Sequence, residues 1–246
     1  MARRLFFVDS IHGQRARVEG DDAAHLTRVL RAEKGERMEI SDNENLYLAE
    51  IEEARRDRVV FRVIERLERA AFPLQPHLYA ALIKFDHFEW MLEKATELGA
   101  GAITPVIAAR SEKGLERAAL KRLERWTRIV RESSQQARRS RLPVVAPPVP
   151  FDGALAHNGT RLVLEETPGA PALLHVLGRR EQSLDSPAVL VGPEGGWTDE
   201  ERGKAAAAGW TAVSLGPGVL RAETAAISAL AVLMAFCQAA KRSGTH

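Results

Sequence analysis

The chain has 246 residues, of which 45% are hydrophobic and 28% charged, with a formal net charge of +2. This is the composition of a globular chain with its own core, built as one large domain or two smaller ones. It excludes a polybasic or disordered binder, so any nucleic-acid surface must be a local patch.

In chain order, the first seventy residues read as mostly β. Leu5 to Val8 and Arg15 to Val18 are short strands. Asp21 or Asp22 can cap a helix running through Glu33. Arg37 to Ser41 alternates with Met38 and Ile40 on one face, and Leu46 to Ile51 and Val59 to Ile64 continue the strand pattern. Residues 1–70 carry 14 Lys/Arg and 15 Asp/Glu, so this region is not basic overall. Its helix presents His25, Arg28 and Arg31, which read either as a solvated face or as contacts to a polyanion.

Ala70-Ala71-Phe72-Pro73-Leu74-Gln75-Pro76 is the candidate linker, because two prolines stop regular structure. Beyond it the pattern turns to alternating strands and helices. His77 to Ile83 reads as a strand, and Asp86 with Glu89 as a capping box for the next helix. Phe88, Met91, Leu92, Ala95 and Leu98 form its apolar stripe, and Ile103 to Ile107 is the next strand. From Arg110 to Arg141 there are 11 Lys/Arg against 4 Asp/Glu, with Leu120, Leu123, Trp126 and Val130 as a stripe beneath the charge. Too few acids are present to pair these bases, which points to a nucleic-acid surface, with a plain solvated face as the alternative. Pro143 to Pro150 is a connector, and Arg161 to Leu164 is a strand ending at Glu165-Glu166.

The densest signal follows. Ala188 to Val191 is a buried strand leading into Gly192-Pro193-Glu194-Gly195-Gly196-Trp197, then a helix capped by Thr198 with Glu201 closing the box. About twenty residues on, Thr211 to Leu215 leads into Gly216-Pro217-Gly218-Val219-Leu220-Arg221 and a long apolar helix from about Glu223 to Ala240. Glycines let backbone approach a ligand closely, and loops at the carboxyl end of a parallel sheet are where such sheets bind ligands. Two ordinary strand-to-helix turns are the plainer reading. No phosphate-loop motif G-x-x-x-x-G-K-[ST] occurs. Arg221 stands where a dinucleotide fold needs its third glycine, so NAD binding is disfavoured.

The single cysteine, Cys237, precludes an intrachain disulfide, reads as a packed thiol, and leaves no expectation of a metal. The apolar runs near Leu5 and from Ala225 to Cys237 are too short for a signal peptide and a membrane span respectively. No membrane association is therefore expected, and the cytoplasm is the default location.

Val191-Gly192-Pro193-Glu194-Gly195-Gly196-Trp197 and Leu215-Gly216-x-x-Val219-Leu220-Arg221-x-Glu223-Thr224-Ala225 resemble the signature loops of the RsmE family, the 16S ribosomal RNA uracil-N3 methyltransferases of the SPOUT class. The resemblance extends over His25-x-x-Arg28-Val29-Leu30-Arg31, over Lys84 to Gly99, over Arg110-Ser111 and over Gln135-Gln136-x-x-Arg139-x-Arg141-Leu142-Pro143. Departures are Asp42-Asn43-Glu44, where the family usually has Asp-Gly, and Gln135, where Glu is usual.

The resemblance implies an α/β fold: a SPOUT-type parallel sheet with a C-terminal trefoil knot over residues 72–246, preceded by a small PUA-like β-barrel RNA-binding domain over residues 1–71. It also implies S-adenosylmethionine as cofactor, 16S rRNA within the assembled small ribosomal subunit as partner, and a homodimer. Cofactor contacts would come from Leu164, Glu165, Gly192, Pro193, Glu194, Gly195, Gly196, Leu215, Gly216, Val219, Leu220, Glu223, Thr224 and Ala225. RNA contacts would come from Arg4, His25, Arg28, Arg31, Lys84, Arg110, Gln136, Arg139 and Arg141. Arg221 is the candidate for an electrostatic catalytic role, with an ion pair to Glu223 or Glu194 as its structural alternative. No side chain stands out as the general base. A SPOUT enzyme acting on tRNA or a ribose hydroxyl, and a non-catalytic RNA-binding protein of the same fold, are the competing readings.

Overall fold

A computed structural model describes residues 4–68, 72–167, 169–179 and 184–243, with side chains up to residue 240. Met1-Ala2-Arg3, the linker residues Ala70 and Ala71, and His246 lie outside the described residues. The chain divides into two compact units: Met1–Ala71 with Arg131–Leu142, and Phe72–Val130 with Pro143–His246.

The first unit holds β1 (Leu5–Phe7), β2 (Ile11–His12), β3 (Arg15–Glu19), α1 (Gly20–Ala24), β4 (Arg37–Ser41), β5 (Leu46–Arg55) and β6 (Arg58–Leu67). They form one six-stranded sheet in the order β1-β4-β5-β6-β3-β2. Only the β1–β4 pairing is parallel. No ladder joins β1 to β2 among the described residues. The helix is shorter than the sequence suggests. It starts at Gly20, so Asp21 and Asp22 lie inside its first turn rather than capping it. After Ala24 it loosens into a π turn over His25–Val29, and Arg31, at φ 52°, ends it before Glu33. Phe6, Leu26, Ile40, Ile51 and Phe61 fill the core. Arg131–Leu142 is tied into this unit by backbone and side-chain bonds. Arg131 donates to the Phe7 carbonyl at 2.8 Å, the Ser41 hydroxyl to the Ser140 carbonyl at 2.6 Å, and the Leu142 amide to Asn43 Oδ1 at 2.7 Å.

The second unit runs β7 (His77–Ala81), α2 (Phe85–Glu97), β8 (Ala102–Ile107), α3 (Leu115–Leu120), α4 (Leu123–Gln136, crossing into the first unit), β9 (Val144–Val145), β10 (Val149–Pro150), α5 (Phe151–Ala154), β11 (Arg161–Leu164), α6 (Leu173–Gly178), β12 (Ala188–Val191), α7 (Asp199–Ala207), β13 (Thr211–Val213) and α8 (Ala222–Ser243). Its strands build a parallel sheet in the order β10-β8-β7-β12-β11-β13, with β9 also on β8. The Pro143–Pro150 stretch, expected as a mere connector, thus contributes two short strands.

Strands β7, β11 and β12 are near-continuous apolar runs because helices cover both faces, the pattern of a buried parallel sheet. Phe88, Met91, Leu92 and Ala95 of α2 bury their stripe against one face together with Trp126 and Val130 of α4. Leu120 does not join them and is 57% exposed, because α3 ends there and the chain turns before Leu123. The capping box expected at Asp86 and Glu89 does not form. Lys84 takes the N-cap position without a side-chain bond, and Glu89 binds Arg122 and Arg125 instead.

Helix α8 is longer than the expected run. Residues Ala222–Ala240 are long and apolar enough to cross a membrane by length and composition, which corrects the estimate from Ala225–Cys237. Its Ala226, Ala229, Leu230 and Leu233 are instead packed in the core beneath the sheet.

Candidate cofactor pocket at the carboxyl end of the sheet

Three parallel strands, β11, β12 and β13, end side by side, and their following loops surround one cavity of about 730 Å³ including its mouth. Gly192, Pro193, Glu194 and Gly196 of the first glycine turn form one wall. Leu215, Gly216, Val219 and Leu220 of the second form the facing wall. Leu164 and Glu165 at the end of β11, and Ala225 of α8, complete it. The two turns singled out from spacing therefore face each other across one pocket.

The first turn is held by its own residues. Thr198 accepts from the Glu201 amide while the Glu201 carboxylate accepts from the Thr198 amide at 2.9 Å, so both halves of the capping box are present. The other Glu201 oxygen accepts from the Ala109 amide at 2.8 Å, tying the turn to the end of β8. Trp197 is buried, and its indole Nε1 donates to the Leu164 carbonyl at 3.1 Å. A Cβ on Gly192 would stand 3.1 Å from that indole, and one on Gly195 would stand 3.2 Å from the Arg110 side chain. Gly196 and Gly216 have open space where a Cβ would be, but φ of 66° and 144°. The glycines thus serve two ends: Gly192 and Gly195 admit protein side chains, whereas Gly196 and Gly216 adopt backbone conformations that L side chains rarely take.

Charge at the pocket is predominantly acidic. Glu165, Glu166 and Glu194 line it with Arg202 as the cation. Glu165 accepts from Arg202 Nε at 2.7 Å and from the Thr167 hydroxyl at 2.8 Å. Burial pushes its pKa up, but these bonds outweigh burial and hold the carboxyl below its ordinary range. Among the described residues no group of three or more His, Cys, Asp or Glu is placed to hold a metal.

The remaining singled-out residues sit as follows. Gly195, Glu223 and Thr224 are outside the pocket lining. Glu223 is buried in the first turn of α8, where its Oε1 meets His87 Nδ1 at 2.8 Å. Arg221 is exposed and outside the lining, and makes no ion pair with Glu223 or Glu194 among the described residues. Lys84 is exposed at the start of α2, on the same end of the sheet. Arg110, expected at RNA, donates through Nη1 to the Gly195 carbonyl at 2.8 Å and to the Trp197 carbonyl at 3.3 Å, so it braces the first turn.

Arg4, His25, Arg28, Arg31, Gln136 and Arg141 are exposed in the first unit. Arg139 is 4% exposed, and burial lowers its pKa to about 10. It differs in this from the other RNA candidates of the first unit, which are exposed. The residues that sequence reasoning missed are Trp197, Arg202 and Ser214: the first two act through contacts with Leu164 and Glu165 that no local pattern announces, whereas Ser214 braces the second turn locally, through the Gly216 backbone.

The RNA methyltransferase domain family matches residues 70–234, and the RNA methyltransferase PUA domain family matches residues 18–64. Among curated proteins, the ribosomal RNA small subunit methyltransferase E of Mycobacterium bovis is 35% identical over 245 residues, which is 94% of this chain and 90% of that protein. Among solved structures, a Legionella pneumophila protein in complex with the bound cofactor SAM has a TM-score of 0.86 at 30% identity, over 96% of this chain and 98% of that one. The ribosomal RNA small subunit methyltransferase E from Neisseria gonorrhoeae bound to S-adenosyl methionine has a TM-score of 0.85 at 28% identity, over 95% of this chain and 98% of that one. The second unit, with both glycine turns around its pocket, is therefore the catalytic-domain fold of these proteins, and the chain belongs to the RNA methyltransferase family of ribosomal RNA small subunit methyltransferase E.

Proposed function

We propose that this protein binds S-adenosylmethionine in the pocket between the two glycine turns and methylates N3 of a uridine in 16S rRNA of the small ribosomal subunit. The observation that carries the reading is the convergence of both turns on one cavity with an apolar floor and acidic walls. Such a cavity fits the group. Leu164, Val191, Val213, Leu215 and Ala225 suit a flat adenine, and Glu165, Glu166 and Glu194 suit a ligand carrying sulfonium and ammonium charge. Backbone of Gly192, Gly196, Leu215, Gly216 and Leu220 would hold the purine edge by amide and carbonyl bonds. When bound, the cofactor supplies an activated methyl group on a sulfonium.

The chain's own part is positioning. N3 of uracil lies on the pairing edge, so the base must be unpaired or flipped out to reach the pocket mouth. Arg221 and Lys84, exposed cations at this end of the sheet, are the donors available to the uracil oxygens as N3 loses its proton. Arg4, His25, Arg28, Arg31, Gln136 and Arg141 of the first unit hold the RNA backbone. Strand β12 enters between β7 and β11 although it follows both in sequence, and β13 lies beyond β11. This re-entrant path supports a C-terminal trefoil knot, one of the rare exceptions to unknotted topology.

The working form is a cytoplasmic homodimer acting on the assembled subunit. Support for the dimer comes from α8, less than half of which is buried, and from Trp90 of α2 and Leu174 of α6, exposed on helices that pack against it. Incubation with the cofactor and either free 16S rRNA or small subunits, followed by nucleoside mass spectrometry, tests the reading. It should yield 3-methyluridine from the subunits. A methylated ribose or a tRNA product would replace this activity with another. RNA binding without cofactor binding would make the protein a non-catalytic RNA binder.

A further inference from the structure

The histidines are scattered in sequence, yet the fold brings one of them to the head of α8. Glu223 is 4% exposed and its Oε1 is 2.8 Å from His87 Nδ1. Its Oε2 is also buried and has no hydrogen-bond partner among the described residues. A buried carboxylate with one oxygen unmet depends on the partner of the other.

The groups around it leave His87 as that partner. Along α8, Glu223 is the only charged residue before Lys241, β12 has none, and α6 has only His175, which is exposed. On α2, Asp86 Oδ2 lies 3.7 Å from His87 Nε2, Glu89 is engaged by Arg122 and Arg125, and Lys94 by Glu93 and Glu97. Lys84 and Arg221 are exposed. Glu223 sits between Ala222 and Ala225, which both line the pocket, and directly after the Gly216–Arg221 turn.

We infer that His87 is a positioning residue of the cofactor pocket, acting through Glu223 to fix the first turn of α8 and with it the second glycine turn. This rests on the pocket being the cofactor site. The contact joins α2 to the head of α8 at a buried carboxylate, so its loss frees the first turn of α8 and loosens the pocket wall that follows from it.

Calorimetric titration of the full-length protein with S-adenosylmethionine tests this. His87→Gln, whose amide reaches the place of Nε2 and not that of Nδ1, should bind about tenfold more weakly than the natural chain. His87→Asn, whose amide can donate from near the place of Nδ1, should recover most of the affinity. Retained affinity in His87→Gln, or no recovery in His87→Asn, overturns the inference. Should the natural chain bind no cofactor, the pocket assignment fails, while the brace is still read by hydrogen exchange. The amides of residues 222–226 should exchange faster in His87→Gln than in the natural chain, and equal protection overturns the brace.

Discussion

A glycine is legible in a sequence, but the reason for it is not. The spacing of Gly192, Gly195, Gly196 and Gly216 reads as room for a ligand. The structure divides them into two that make room for Trp197 and Arg110 and two that take a left-handed φ. The division predicts different failures. Gly216→Ala should strain the second turn by about 1–3 kcal/mol and weaken cofactor binding, with little change in global unfolding, because the turn is exposed. Gly192→Ala should push against the indole of Trp197, weaken its bond to the Leu164 carbonyl and lower the unfolding midpoint. Calorimetric titration and urea denaturation of both variants separate the cases. Equal effects on affinity and stability in the two variants would undo the division. Arg110 teaches the same lesson: its positive charge reads as an RNA contact, while its hydrogen-bond partner lies 85 residues away in sequence.

At the scale of elements, two segments carry the same capping-box spacing and only one forms the box. Thr198 and Glu201 exchange both bonds, whereas Glu89 is drawn away by two arginines and leaves Asp86 79% exposed. A charge-assisted pair outcompetes a local backbone bond where the cations stand close. The box at α7 does more than start a helix, because Glu201 also holds the Ala109 amide. Thr198→Ala should cost about 1 kcal/mol, and Glu201→Ala should cost more, since two backbone donors lose their acceptor. Urea unfolding midpoints check the order, and a smaller loss in Glu201→Ala would show that the Ala109 bond adds nothing.

Strands with apolar runs, the stripe of α2 and both glycine turns were legible because each is a local pattern. The π turn at His25 and the two strands at Val144 and Val149 were not, because the first is set by packing and the second by pairing with β8. The same holds for the Arg131–Leu142 segment, whose place in the first unit rests on bonds to Phe7, Ser41 and Asn43.

For the molecule as a whole, the most specific solution property is its response to acid, and it originates at the end of the sheet away from the pocket. His77 opens β7 and Thr104 lies on β8 beside it, with His77 Nε2 and Thr104 Oγ1 2.8 Å apart. The ring stacks on Tyr79 at 3.9 Å, with His157 edge-on at 5.6 Å. Burial, and then the nearby His157, lowers the His77 pKa from 6.5 to about 4. Between those two values the unfolded chain binds a proton that the folded chain does not. Stability from this group is therefore complete above pH 6.5, declines as pH falls towards 4, and is lost below it. Glu165, held ionised by Arg202 and Thr167 against its burial, gives up its contribution only below the ordinary carboxylate range, and so at lower pH than His77. The unfolding midpoint in urea should thus fall between pH 6.5 and pH 4 in the natural chain and more shallowly in His77→Gln, whose side chain binds no proton there. Identical slopes in the two proteins would place the acid sensitivity elsewhere.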